Sequence, residues 1–138
     1  TSEDSARVRG EPLRVGGKAL LMNADKEFAL FVLPADRKVD SGAIRSQLQV
    51  KKLRFASRDE LLALTEPVDG TGLVPGSGPP FGQPILPFEL YLDAALQEND
   101  RIAFNAGSLT DSMIVSMDDY LSVAQPRQVF CFSVDEAA

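Results

Sequence analysis

The stretch KALLMNADKEFALFVL, residues 18–33, decides the fold class. It holds two apolar runs, KALLMN and FALFVL, separated by the polar turn Ala24-Asp25-Lys26-Glu27. Runs of six bounded by turn residues are the length of strands and too short for typical helices, so the pattern predicts an antiparallel pair. Neither run alternates apolar with polar, which predicts a sheet covered on both faces.

Working outward, residues 1–10 read as a short helix, with Glu3 and Asp4 in its first turn and Gly10 at its end. Residues 34–40 read as a connection. Ile44 and Leu48, four apart, predict a helix over 41–48. A brief strand fits 51–55, and Ser57-x-x-Glu60 ahead of Leu61, Leu62 and Leu64 is a capping box opening another helix. Further strands are predicted at 88–92, 101–105 and 113–117, with a helical turn near Asp93 and a helix after Asp118, each aspartate placed to cap. Residues 128–134 are a last apolar segment at a sheet edge. Short strands mixed irregularly with short helices indicate an α+β fold in one domain, a mixed and mostly antiparallel sheet or a partly closed barrel flanked by short helices.

Residues 66–87 differ in kind, with six prolines and five glycines among 22 positions. Such density excludes regular structure. About 50 residues follow, little for a second independent core, so the segment reads as a long loop held over a site.

The chain of 138 residues is 44% hydrophobic and 25% charged, the composition of an ordinary globular domain. No apolar run approaches the roughly 20 residues that cross a bilayer, and residues 1–10 carry no apolar segment of a signal peptide. The lone Cys131 reads as a buried small hydrophobe and fits a reducing, cytoplasmic setting. The net charge of −6 is unevenly spread: residues 1–58 carry +5 and residues 59–138 carry −11. That asymmetry suggests a polyanion-binding face, although solvated surface charge would look the same.

Histidine is absent, which removes Ser-His-Asp and Cys-His catalysis and His-based metal sites. No Gly-Lys-Ser/Thr follows the glycines of 70–82, and GxGxxG is missing, so neither a P-loop nor a dinucleotide fold is indicated. What the residues permit is an anion-binding site built from a lysine near a strand start, backbone N–H groups freed by glycine, and the small-residue turn Asn105-Ala106-Gly107-Ser108.

The order of segments resembles the YbaK/prolyl-tRNA synthetase-associated editing domain over nearly the whole chain. The pieces are TSEDSARVRG (1–10), GGKALLMN (16–23), FVLPADRKVD (31–40), KKLRFASRDEL (51–61), the loop ending GPPFG (78–82), LYLDAAL (90–96) and FNAGS (104–108). The resemblance implies a hydrolase that removes a small amino acid such as Ala, Ser, Thr or Cys from mischarged tRNA, with no cofactor and no metal. It implies that Lys18 holds the terminal adenosine's phosphate or the ester oxygens, and that Gly78 and Gly82 share the catalytic role. Gly76, Pro80, Phe81, Ala106, Gly107 and Ser108 would bind substrate. A solvated strand-end lysine and plain turn glycines are the structural alternatives. The implied partners are the acceptor end of aminoacyl-tRNA and a synthetase, with no membrane. Arg7, Arg9, Arg14 and Lys18, then Arg45, Lys51, Lys52, Arg54 and Arg58, would face the acceptor stem. Two departures stand out. Family domains begin with a further helix and strand, so the chain reads as shortened at its N-terminus. Ser108 stands where synthetase-inserted members carry histidine, so amino-acid preference does not carry over. A non-catalytic binding module with the same fold is the alternative.

Overall fold

In the computed structural model, residues 16–69, 80–82, 88–105 and 112–135 are described. Strand β1 (Gly17–Ala24) and strand β2 (Glu27–Pro34) pair antiparallel along all eight residues, from Gly17 opposite Pro34 to Ala24 opposite Glu27. Asp25 turns the hairpin at φ 58°, a left-handed conformation that aspartate tolerates better than most residues.

Three more strands complete the sheet: β4 (Leu53–Phe55), β5 (Glu89–Asp93) and β8 (Gln128–Phe130), in the order β4-β1-β2-β5-β8. β4 joins β1 antiparallel, whereas β5 joins β2 and β8 joins β5 in parallel. Two ribbons flank it: β3 (Arg37–Val39) with β9 (Ser133–Asp135), and β6 (Arg101–Asn105) with β7 (Ser112–Ser116), both antiparallel. The α+β expectation holds in its mixed-sheet form; the five-stranded sheet has two edges and is not a closed barrel.

The predicted cover on both faces is present, because β2 is buried from Ala29 to Pro34. On one face Val32, Leu90 and Leu92 pack with Ile102 and Phe104 of β6 and with Met117 and Tyr120 of helix α3 (Met117–Ala124). Nearer the hairpin tip, Leu21, Leu30 and Phe88 meet Leu61 and Leu64 of helix α2 (Arg58–Asp69). On the other face Phe31, Leu33 and Tyr91 pack with Ile44 of helix α1 (Ser41–Leu48) and with Phe132. Phe31 stacks on Tyr91 at 5.2 Å between centroids and meets Phe132 edge-on at 5.6 Å. Among the described residues no helix is long and apolar enough to cross a membrane.

Local signals held where the deciding partners are near in sequence. α1 has the predicted bounds, with the Asp40 carboxylate accepting from the Ala43 N–H at 3.2 Å. The capping box is reciprocal: Ser57 N–H donates to Glu60 at 2.9 Å and Glu60 N–H donates to the Ser57 hydroxyl oxygen at 3.1 Å.

Several expectations are overturned. The connection 34–40 contains β3, whose register Arg37 secures by donating to Ser133 and Asp135, almost 100 residues away. α2 runs to Asp69 and so takes the first residues of the proline-rich stretch; a proline removes one helix hydrogen bond without forbidding further turns. α3 is capped by Ser116, whose hydroxyl oxygen accepts from the Asp119 N–H at 3.1 Å, and Asp118 lies in the first turn. β7 feeds directly into the helix, which starts at the buried Met117, two residues earlier than expected. Asp93 makes no side-chain cap bond to the 3-10 helix Ala94–Glu98. Its carboxylate accepts instead from the Phe132 N–H, at 2.8 Å, and from the Ser133 hydroxyl. Cys131 is exposed rather than buried, since its neighbour Phe132 takes the inward position and alternation turns residue 131 out.

Candidate functional site

Lys18 is the second residue of β1, half-buried and opposite Leu33 of β2. Strand alternation places it with Leu20 and Met22 on the face that packs against α1 and Phe132. The backbone around it is tightly held. Ala35 N–H donates to the Gly16 carbonyl at 2.7 Å, and Gly16 forms a parallel bridge to Ala103 of β6. A Cβ on Gly17 would lie 2.7 Å from Ile102 Cδ1, so glycine lets the β6–β7 ribbon approach the start of β1. Lysine, sheet and ribbon therefore converge at one end of the hairpin.

The described end of the glycine/proline segment, 80–82, is anchored to the opposite face. Pro80 is buried, and its carbonyl accepts from the Tyr120 hydroxyl at 2.6 Å. Phe81 lies 5.3 Å from both Phe104 and Tyr120, edge-on to the first and tilted to the second. Gly82 is buried so closely that a Cβ would stand 2.4 Å from the Phe88 carbonyl oxygen. Burial pushes the Tyr120 phenol well above its ordinary pKa, so it stays a neutral donor to Pro80 at any ordinary pH. These contacts give Pro80, Phe81 and Gly82 packing partners in β5, β6 and α3.

Of the positions singled out from the sequence, Lys18, Pro80, Phe81 and Gly82 are thus located, and Gly76, Gly78, Ala106, Gly107 and Ser108 lie outside the described residues. Asn105 is the last residue of β6, and β6 adjoins Gly16 and Gly17 at the start of β1. Two side chains that hold this end together were missed as such: Tyr120, which ties α3 to Pro80, and Asp93, which ties β5 to residues 132–133. Each acts across about 40 residues, and no local pattern signals either.

The other end of the hairpin carries charge. The Asp25 carboxylate accepts from the N–H groups of Lys51 and Lys52, at 3.0 and 2.9 Å, while its own N–H donates to the Lys52 carbonyl at 2.7 Å. Arg54 is engaged by Glu60 through both guanidinium nitrogens, at 2.7 and 2.9 Å. Hydrogen bonds from Arg54 and the Ser57 backbone hold the Glu60 carboxyl down at about 2.

Comparison with known proteins agrees with this fold and the order of its motifs. The family described as the aminoacyl-tRNA editing domain matches residues 1–123. The chain is 37% identical over 133 residues, 92% of its own length and 75% of the relative's, to the multifunctional Ser/Thr-tRNA deacylase ProXp-y of Escherichia coli K12, and equally to that of strain O157:H7. Solved structures share the fold, two of them as follows. One is a scaffold from epitope backbone grafting by computational design, with TM-score 0.83 and 21% identity over 97% of this chain and 80% of that one. The other is a candidate trans-editing enzyme for prolyl tRNA synthetase, with TM-score 0.77 and 20% identity over 96% and 79%.

Proposed function

Because the chain belongs to the aminoacyl-tRNA editing domain family, we propose that it is a trans-editing hydrolase that cleaves the ester of a mischarged aminoacyl-tRNA. The observation that carries this is the 37% identity to a Ser/Thr-tRNA deacylase along 92% of the chain. Its substrates are small, from the set Ala, Ser, Thr and Cys, with Ser and Thr first on the strength of that relative. The site is cytoplasmic and open to tRNA released by a synthetase.

The reaction asks little of the protein, because an aminoacyl ester is already activated. Water attacks the ester carbonyl carbon, the bond to the ribose oxygen breaks, and that oxygen takes up the proton. Free amino acid and tRNA with an intact terminal hydroxyl are the products. The neighbouring ribose hydroxyl relays the proton, which agrees with a chain that contains no histidine. Lys18 holds the terminal phosphate or the ester oxygens. The backbone N–H groups of the segment bearing Gly76, Gly78 and Gly82 face the carbonyl oxygen as charge develops there. Ala106, Gly107 and Ser108 line the amino-acid pocket, and Pro80 and Phe81 seat the loop. Positioning of this kind supplies several kcal/mol of the barrier. Editing is needed because a synthetase pocket distinguishes one methylene by only about 1–3 kcal/mol.

The test is a deacylation panel. Purified protein is expected to release amino acid from Ser- or Thr-charged tRNA well above the uncatalysed rate, and Lys18→Ala to lose most of that rate. Turnover at the background rate on Ala-, Ser-, Thr- and Cys-charged tRNA alike would make the chain a non-catalytic binding module.

A further inference from the structure

The end of the hairpin remote from Lys18 is a basic shelf. Lys26, Lys51 and Lys52 border an open concavity of about 670 Å³ together with Asp25 and Glu27. All three lysines are exposed, and among the described residues none of them is held in an ion pair. The Asp25 carboxylate keeps its charge, with one oxygen accepting from the Lys51 and Lys52 N–H groups. Asp25 and Glu27 together set two anions against the three ammonium groups, which leaves the rim net positive. The bonds that engage Asp25 also fix the backbone from which two of the lysines project, so their spacing is preset although their side chains are solvated. Arg54, on the adjoining strand, is different: Glu60 grips it with two hydrogen bonds and compensates its charge.

We infer that Lys26, Lys51 and Lys52 form a docking surface for the phosphate backbone of the tRNA acceptor arm, and that Arg54 is not part of it. This rests on the reading of Lys18 as the residue that holds the terminal nucleotide. Ala24 lies six steps along β1 from Lys18, a distance of about 20 Å at roughly 3.3 Å per residue. Along a nucleic-acid strand, at roughly 3.4 Å per stacked nucleotide, that is about six nucleotides. A 3′ end seated at Lys18 thus brings the first base pairs of the acceptor stem, past the unpaired terminus, over the three ammonium groups. Contacts of this type neutralise phosphates without reading bases, so they position the substrate for any acceptor stem. They also reconcile a chain of net charge −6 with a polyanionic substrate, because the favourable charge is gathered where the nucleic acid lies.

The experiment measures binding of deacylated bulk tRNA by the whole protein across a salt series, so that it does not depend on turnover. The triple variant K26Q/K51Q/K52Q is expected to bind more weakly, with the slope of log affinity against log salt shallower by about 2.7, roughly 0.9 for each lysine lost. The double variant R54Q/E60Q, which removes the ion pair but keeps a glutamine able to serve the capping box, is expected to match the parent in both. Hydrolysis of a serine or threonine ester of adenosine, too short to reach the shelf, should be unchanged in the triple variant. Unchanged tRNA affinity and slope in the triple variant would overturn the inference, as would an equal loss in R54Q/E60Q. If no aminoacyl-tRNA is hydrolysed but the triple variant still loses salt-dependent binding, the enzymatic reading fails and the docking surface stands.

Discussion

Tyr120→Phe isolates a hydroxyl that fastens Pro80 of the glycine/proline segment to the core. The ring is 1% exposed and sits against Phe81, whose centroid is 5.3 Å away; phenylalanine keeps that packing and leaves no cavity. What is lost is the 2.6 Å bond to the carbonyl of buried Pro80, which then has an unsatisfied acceptor. A buried acceptor stripped of its donor costs about 1–3 kcal/mol. For 138 residues at about 2.1 cal/mol/K each, the unfolding entropy is roughly 290 cal/mol/K. A loss of about 2 kcal/mol then lowers the melting temperature by about 7 °C. Calorimetry or thermal melts followed by circular dichroism read this directly, and urea titration should show a lower midpoint at unchanged slope. Tyr120→Ala supplies the scale, because deleting the ring as well adds a cavity and should raise the cost to about 3–5 kcal/mol. Deacylation assayed well below either melt should fall in Tyr120→Phe by more than the unfolded fraction explains, since the loop end has lost its anchor. A melting temperature within about 1 °C of the parent would refute the account of Tyr120 as a latch.

Gly82→Ala places a methyl 2.4 Å from the Phe88 carbonyl oxygen; backbone must move, and urea titration is expected to show a loss of about 1–3 kcal/mol, whereas an unchanged midpoint would mean that the segment has room. The capping box gives a pH dependence of known sign. Glu60 is held at about 2 against an ordinary 4.5, so its contribution is fully present above about pH 4.5 and fades as pH falls through 2. Glu60→Gln should therefore be less stable than the parent near neutral pH and equal to it in strong acid; a difference that does not vary with pH would show that the carboxylate charge is not what stabilises this turn.

How much was legible in advance follows the reach of each interaction. The hairpin over 18–33, the helix over 41–48 and the Ser57–Glu60 box depend on partners within a few residues, so their sequence was sufficient, and the order of short motifs was enough to point to the family. Lys18 could be singled out in the same way, as a lysine at a strand start in a recurring context. Amino-acid order alone did not reveal that Arg37 would build a strand with residues 133–135, that Asp93 would hold Phe132 and Ser133 instead of its own turn, or that Cys131 would face outward. Nor did it separate Arg54, neutralised by Glu60, from Lys51 and Lys52, whose charges remain available; all looked alike as one basic run. Composition and local periodicity determine which segments become strands and helices, because those choices turn on neighbouring backbone and side chains. Only the tertiary structure decides which buried polar groups meet and which surface charges stay uncompensated, because both are set by contacts between segments far apart in the chain.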